Sequence, residues 1–147
     1  MKNLIPLLLV FSLNLNAHEG GHGELAESGK FGGVTSPIVS AAEAGQGAKA
    51  KVLYKAEIVR GENGQVRLYI FDDAMNLVDL KSFSSDVLAK LEVKKKGKFT
   101  YFGDFKLEKK NNHFLGQIPK VEYKPFNIDL FLSHGQQKLF VGFSNLD

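Results

Sequence analysis

Two histidines near the amino terminus have the residue type and spacing of a metal chelate. His18 and His22 stand in the sequence His-Glu-Gly-Gly-His-Gly, so two flexible glycines lie between them. If the chain is cleaved after Ala17, the α-amine and the imidazole of His18 can bind one metal ion together, and His22 can join the same coordination sphere. Imidazole and amine nitrogens suit Cu(II), Ni(II) and Zn(II). We therefore predict a transition-metal site at His18 and His22; the alternative is a solvated tail with incidental metal affinity.

Residues 1–17 have the pattern of a secretory signal peptide. Lys2 gives a positively charged start, apolar residues dominate positions 4–15, and Ala17 is the small residue expected before a cleavage site. The apolar run is shorter than the roughly 20 residues that a membrane-spanning helix needs. The sequence therefore predicts removal of residues 1–17, a bacterial periplasmic or secreted protein, and no transmembrane segment after cleavage.

The composition argues against several classes of function. The chain has no cysteine, and therefore no disulfide, thiolate metal ligand, thiol nucleophile or lipid-attachment cysteine. Its formal net charge of +3 falls to +2 when Lys2 leaves with the signal peptide, which is too weak to indicate nucleic-acid binding. The sequence contains no Gly-x-Ser-x-Gly, no His-Glu-x-x-His and no phosphate-binding loop. We therefore predict that the protein is not an enzyme.

Residues 18–49 are predicted to form a flexible His/Gly-rich arm. The segment is rich in Gly, Ala, Ser and Glu and has few large apolar residues, which is typical of a flexible chain. Residues 31–34 and 37–39 are apolar enough to dock a short strand on the body, and residues 40–44 are compatible with one helical turn. The ordered core is expected to begin near residue 50.

From residue 50 onward the apolar residues recur with the period of two that is typical of β-strands. Residues 52–60 and 65–71 alternate in this way, and Asn63-Gly64 between them favours a tight hairpin turn. Further strands are predicted over residues 77–80, 87–93, 99–107, 113–118, 126–132 and 138–143. Seven or eight short strands indicate an antiparallel β-sandwich over residues 50–147. A small barrel has the same local pattern and differs only in closure.

Other features of the body are expected to be structural. His113 and His134 are predicted to be exposed residues in or near turns. The lysines of residues 94–98 are expected to protect an exposed sheet edge from pairing; the alternative is contact with anionic lipid or cell-wall polymer. Several aromatic residues lie on the strand face opposite the main apolar face, so either both faces are covered or one carries a patch for a partner. These aromatic residues are Tyr69, Phe71, Phe102, Phe131 and Phe140.

The mature chain resembles a group of small bacterial exported proteins with a His/Gly-rich arm, a Gly-Gly-Val segment and a β-sandwich. Similar segments occur in periplasmic proteins found beside heavy-metal efflux systems, including the adaptor subunits. The matching segments are residues 18–23, 31–34 and 66–72, although many such relatives carry Pro-His where this chain has Lys30-Phe31. The resemblance implies a non-enzymatic exported protein that handles a transition metal through its arm. The alternative is a structural or interaction module of the cell envelope, with a protein partner and incidental histidines.

Overall fold

Eight antiparallel strands make up most of residues 29–147, the part of the chain that the structure, a computed structural model, describes. Short loops connect the strands, and 3-10 segments occur at Ala41–Lys49, Glu62–Gly64 and Leu80–Ser82. The strands are β1 (Val34–Ser40), β2 (Val52–Arg60), β3 (Gln65–Phe71), β4 (Asp86–Lys95), β5 (Lys98–Lys109), β6 (Phe114–Gln117), β7 (Phe126–His134) and β8 (Gln137–Leu146).

The strands form a closed barrel in the order β1-β2-β3-β6-β5-β4-β7-β8. The prediction of an antiparallel all-β fold is confirmed, but the predicted sandwich is wrong. Closure depends on β1, which pairs with β2 along its length and with β8 through Val39 with Phe140 and Ser40 with Leu139. Because both ends of the sheet are joined, no part of it is free to fold over as a second layer.

The barrel begins at β1, earlier than the residue 50 expected from the sequence. β1 and the 3-10 segment Ala41–Lys49 both lie within residues 18–49, which the sequence assigned to a flexible arm. Ile38 is fully buried in the core, and the Ser36 hydroxyl donates to the Gly142 carbonyl of β8 at 2.6 Å. The docked strand expected around residues 37–39 is therefore confirmed, and it is a part of the barrel wall.

The hairpin of β2 and β3 has the bounds that the alternation predicts. Asn63 and Gly64 both adopt positive φ angles, 56° and 78°, as a tight hairpin turn requires. The strand predicted over residues 77–80 does not form. Leu77 makes only an isolated bridge to Phe71. Asp79 caps the 3-10 segment Leu80–Ser82 by accepting a hydrogen bond from the Lys81 amide, so the chain turns there instead of extending.

Aliphatic and phenylalanine side chains fill the barrel interior. In β3, for example, Val66, Leu68 and Ile70 alternate inward and are fully buried, and Ile128 of β7 is equally buried. The alternation predicted over residues 65–71 and the strand predicted over residues 126–132 are therefore confirmed. The core therefore accounts for one face of each strand, and any binding chemistry must come from the outer faces, the loops and the chain that precedes β1.

The outer aromatic residues are partly covered. Phe71 is completely buried although it is absent from the interior cluster, because the chain before β1 and Leu77 lie over it. Phe131 and Phe140 pack against each other with ring centroids 5.4 Å apart, and the Lys90 ammonium lies 5.4 Å from the Phe131 ring. Phe102 is 39% exposed. On the outer surface, the aromatic residues of β3 are thus covered by the preceding chain, those of β7 and β8 pack against each other, and Phe102 of β5 stays exposed.

Candidate functional site

A buried carboxylate on the outside of the barrel holds the chain that leads into β1. Residues 29–33, called here the arm root, cross the outer face of β2 above Glu57. Oε1 of Glu57 accepts hydrogen bonds from the backbone amides of Phe31 at 2.8 Å and Gly33 at 2.7 Å. Glu57 is completely buried, and its other oxygen, Oε2, has no hydrogen-bond partner among residues 29–147. One carboxylate oxygen therefore fastens the arm root to the barrel.

Two glycines allow the arm root to approach β2 this closely. A Cβ on Gly29 would lie 2.1 Å from the Glu57 side chain, and a Cβ on Gly33 would lie 2.3 Å from the Ile58 carbonyl oxygen. The methyl group on Gly33 would collide with backbone atoms, and the one on Gly29 with a carboxylate that accepts two hydrogen bonds from the arm root. The amide of Gly32 donates to the Gly29 carbonyl at 3.1 Å, which closes the root into a turn. Positions 29 and 33 of the arm root therefore leave no room for a side chain.

A row of rings leads from the arm root to His113. The ring of Phe31 lies 4.2 Å from the ring of Tyr69 on β3, at a tilt of 31°. On the far side, the ring of Tyr69 lies 5.4 Å from the imidazole of His113, which directly precedes β6. The ring of Tyr69 therefore contacts both Phe31 at the base of the arm and His113 of the barrel.

The surroundings of His113 keep one nitrogen available as a ligand. Nδ1 lies 2.9 Å from Oδ1 of Asn112, an atom that can only accept, so Nδ1 carries the hydrogen and the lone pair is on Nε2. Burial, followed by the positive charges of Arg67 and Lys110, lowers the pKa of His113 below 6.5. A lowered pKa favours the neutral imidazole, which is the form that coordinates metal ions.

His113 also lines an open cleft of about 770 Å³. Three lysines line the same cleft, but each has a partner: Lys81 is 3.5 Å from Asp79, Lys110 is 3.4 Å from Glu108, and Lys109 donates to two backbone carbonyls. These contacts offset part of the positive charge near the imidazole. The cleft gives solvent and ions access to this side of the barrel.

His134 has a different environment. Its Nδ1 lies 3.1 Å from the Tyr54 hydroxyl, and its ring stacks on Phe83 with a centroid separation of 4.6 Å. A β-bridge also joins Phe83 to His134. Whichever group donates in the contact with Tyr54, Nδ1 is engaged and one ring face is covered. His134 therefore packs the loop of residues 80–85 against the end of the barrel, instead of standing exposed in a turn.

The predicted ligands His18 and His22 lie outside the described residues, so the metal site remains a prediction. Within residues 29–147, no group of three or more His, Cys, Asp or Glu side chains is placed to hold a metal ion. The same part of the chain contains no helix that is long and apolar enough to cross a membrane. The structure thus brings His113 to the base of the arm and leaves His134 in a separate cluster.

Sequence reasoning did not single out Glu57. It occupies an outward position in an alternating strand, where a charged side chain normally faces water, and only the crossing of the arm root buries it. The one available signal was the apolar Phe31 before Gly32-Gly33, which predicted docking but not the partner. No protein-family model, curated protein or solved structure matches this chain.

Proposed function

We propose that the protein is an exported, non-enzymatic transition-metal-binding protein in which His18 and His22 of the arm share a metal ion with His113 of the barrel. The observation that carries the proposal is the position of the arm root, which places Phe31 one ring away from His113. The donor set of imidazoles and a terminal amine suits Cu(II), Ni(II) or Zn(II).

The arm is long enough for this arrangement. Gly29, the first residue of the arm root, follows His22 by seven positions. A chain of this length spans at most about 25 Å, at roughly 3.3–3.6 Å per residue. The path from the arm root to His113 is bridged by the single ring of Tyr69, which is well within that reach. Attachment at the root therefore keeps the arm histidines near His113 at a high effective concentration.

The chemistry of His113 favours a ligand role. A metal ion competes with protons for an imidazole nitrogen, so a lowered pKa of His113 favours metal binding over protonation. The hydrogen bond from Nδ1 to Asn112 fixes both the tautomer and the ring orientation, as the outer-shell partners of metal-bound histidines do. Arg67 and Lys110 oppose a cation electrostatically, and the negative charge of Glu108 beside Lys110 reduces that opposition.

Calorimetric titration of residues 18–147, which contain the whole barrel, with Cu(II), Ni(II) and Zn(II) tests the proposal. His22→Ala and His113→Ala are each expected to weaken binding at least about tenfold, because each removes a ligand. His134→Asn is the matched control and is expected to leave the affinity unchanged. One extra residue before His18 is expected to weaken binding, since it removes the α-amine from the chelate.

A synthetic peptide of residues 18–24 separates the arm from the barrel. The protein is expected to bind far more tightly than the peptide, and His113→Ala is expected to reduce that difference. Equal affinity of the peptide and the protein would show that the barrel supplies no ligand. Affinity no greater than that of a scrambled peptide of the same composition would contradict the metal proposal and favour the alternative of an envelope interaction module.

A further inference from the structure

The turn between β4 and β5 projects beyond the strands on either side. β7 pairs with β4 only as far as Val93, and β6 pairs with β5 only from Leu107 to Lys109. Residues 98–106 of β5 therefore have no strand partner on the side away from β4 within the described part of the chain. The tip of this hairpin is attached to the barrel mainly through its own two strands.

Four exposed lysines surround this tip, and we call them the basic tip: Lys94, Lys95, Lys96 and Lys98. None of the ion pairs found within residues 29–147 involves them. The nearest acidic residues on the hairpin are Glu92 and Asp104, which lie beside Asp129 and Tyr101 respectively and contribute to the raised pKa of each. Within the described residues, the lysines of the basic tip thus carry their charge without an ion-pair partner.

Exposed aromatic rings accompany these lysines. Tyr101 is 63% exposed and Phe102 39%, because a β-bulge inserts Phe102 between the residues that pair with Leu91 and Glu92. Tyr123, in the loop before β7, is 45% exposed and has the Lys95 ammonium 4.6 Å from its ring centre. The combination of lysine ammonium groups and exposed rings is typical of surfaces that sit in the headgroup layer of a membrane.

Edge protection does not explain this arrangement. Along the open edge of β5, residues 98–106, lysines stand only at the two ends, Lys98 and Lys106. The positions between them include the rings of Phe99, Tyr101 and Phe102, and the other lysines cluster at the turn. An open edge with exposed rings is typical of a binding surface, and the charge of the adjacent turn suits an anionic partner.

We propose that the basic tip and the rings of Tyr101 and Phe102 dock the protein on an anionic phospholipid membrane. The lysines contact phosphate groups, and the rings insert at the boundary between headgroups and acyl chains. A purely polar anionic polymer would use the lysines but leave the rings in water. β5 has twelve residues and spans roughly 40 Å. His113 follows its far end, so docking at the tip leaves the cleft beside His113 open.

Sedimentation with lipid vesicles tests this proposal in the presence of EDTA, so that its outcome does not depend on metal binding. Residues 18–147 are expected to sediment with vesicles of phosphatidylglycerol and phosphatidylcholine, but not with phosphatidylcholine alone. Raising the salt concentration is expected to release most of the protein, because it screens the contact between lysine and phosphate. Absence of binding to the anionic vesicles would overturn the proposal.

Two sets of variants identify the surface. The combined substitutions Lys94→Gln, Lys96→Gln and Lys98→Gln are expected to weaken vesicle binding roughly a hundredfold. The matched control removes the same number of lysines from other parts of the barrel and is expected to leave binding nearly unchanged: Lys81→Gln, Lys110→Gln and Lys138→Gln. Equal losses from both triple variants would show that only net charge matters and would overturn the assignment to this hairpin.

Phe102→Ser separates membrane insertion from simple attraction between charges. Phe102 occupies the exposed bulge, so its replacement is expected to leave the barrel folded and to weaken vesicle binding about tenfold, with a larger effect at high salt. If Phe102→Ser binds vesicles as well as the unchanged protein while the lysine variants do not, the partner is a polar anionic polymer and the lipid proposal is wrong.

Discussion

Replacing Glu57 by alanine is expected to release the arm root while the barrel stays folded. The substitution removes the acceptor of two backbone hydrogen bonds, from Phe31 and Gly33. A hydrogen bond to a charged group contributes about 1.5–3 kcal/mol, so the two bonds together contribute at least about 3 kcal/mol. That loss raises the local opening equilibrium roughly a hundredfold. The barrel core lies on the other face of β2 and is not disturbed.

Amide hydrogen exchange measures this effect residue by residue. In Glu57→Ala, the amides of Phe31 and Gly33 are expected to lose at least about a hundredfold in protection, while the amide of Leu68 in the barrel wall keeps its protection. Unchanged protection at Phe31 and Gly33 would refute the conclusion that Glu57 fastens the arm root. Loss of protection at Leu68 as well would show that the root and the barrel unfold as one unit.

Two further variants vary the contact in graded steps. Glu57→Gln keeps one oxygen acceptor but removes the charge, which accounts for about half of the strength of such bonds, so an intermediate loss of protection is expected. Gly29→Ala leaves Glu57 intact but places a methyl group 2.1 Å from its side chain, and is expected to release the root as fully as Glu57→Ala. Gly45→Ala is the control, since a Cβ there meets nothing within 4 Å.

Three other predictions concern the core, the pH dependence and the processing of the chain. Leu68→Ala and Ile128→Ala are each expected to lower the free energy of unfolding in urea by about 2–5 kcal/mol, because both are fully buried; a loss below about 0.5 kcal/mol is typical of surface positions and would contradict their inward register. Burial, and then the charge of Glu92, raise the pKa of Asp129 above its ordinary value of 3.8. The folded protein therefore holds this proton more tightly than the unfolded chain does. The stability that results is present below pH 3.8 and is lost as the pH rises through the folded pKa. Asp129→Asn should therefore unfold at a higher temperature than the unchanged protein at neutral pH, and show no such advantage at a pH below 3.8; an equal advantage at both would refute this explanation. The intact mass of the exported protein is expected to match residues 18–147, and retention of residues 1–17 in a membrane fraction would contradict cleavage.

The local elements could be predicted from the sequence wherever side-chain alternation and turn residues agree. The hairpin of β2 and β3 is the clearest case, because the inward positions of both strands are apolar and Asn63-Gly64 has the positive φ angles of its turn. The strand predicted over residues 77–80 was wrong because a side-chain cap stabilises a 3-10 turn there in place of an extended strand. The Asp79 carboxylate satisfies the Lys81 amide and starts a 3-10 turn, an interaction that a pattern of apolar residues does not register.

Barrel closure and the candidate site depend on contacts between distant parts of the chain. Closure of the barrel pairs Ser40 with Leu139. The side-chain alternation within each of these strands would be the same in a sandwich, so it does not reveal the closure. The approach of the arm root to His113 passes through Tyr69, which is 38 positions after Phe31 and 44 before His113. Neither separation leaves a local signal. The adjacency of Asn112 and His113 was visible in the sequence, but the hydrogen bond that fixes the tautomer was not.

The seam between β1 and β8 imposes an order on folding. The strand that completes the barrel, Gln137–Leu146, is the last to be synthesised, and its partner Val34–Ser40 is the first of the eight. A chain that is still being made, or still being moved through a membrane, therefore cannot close its barrel, and the pairing edges of β1 and β7 stay open until the final strand arrives. The topology thus delays completion of the native fold until the whole chain has reached one compartment. If residues 1–17 direct export as predicted, the open barrel leaves the precursor incompletely folded during translocation.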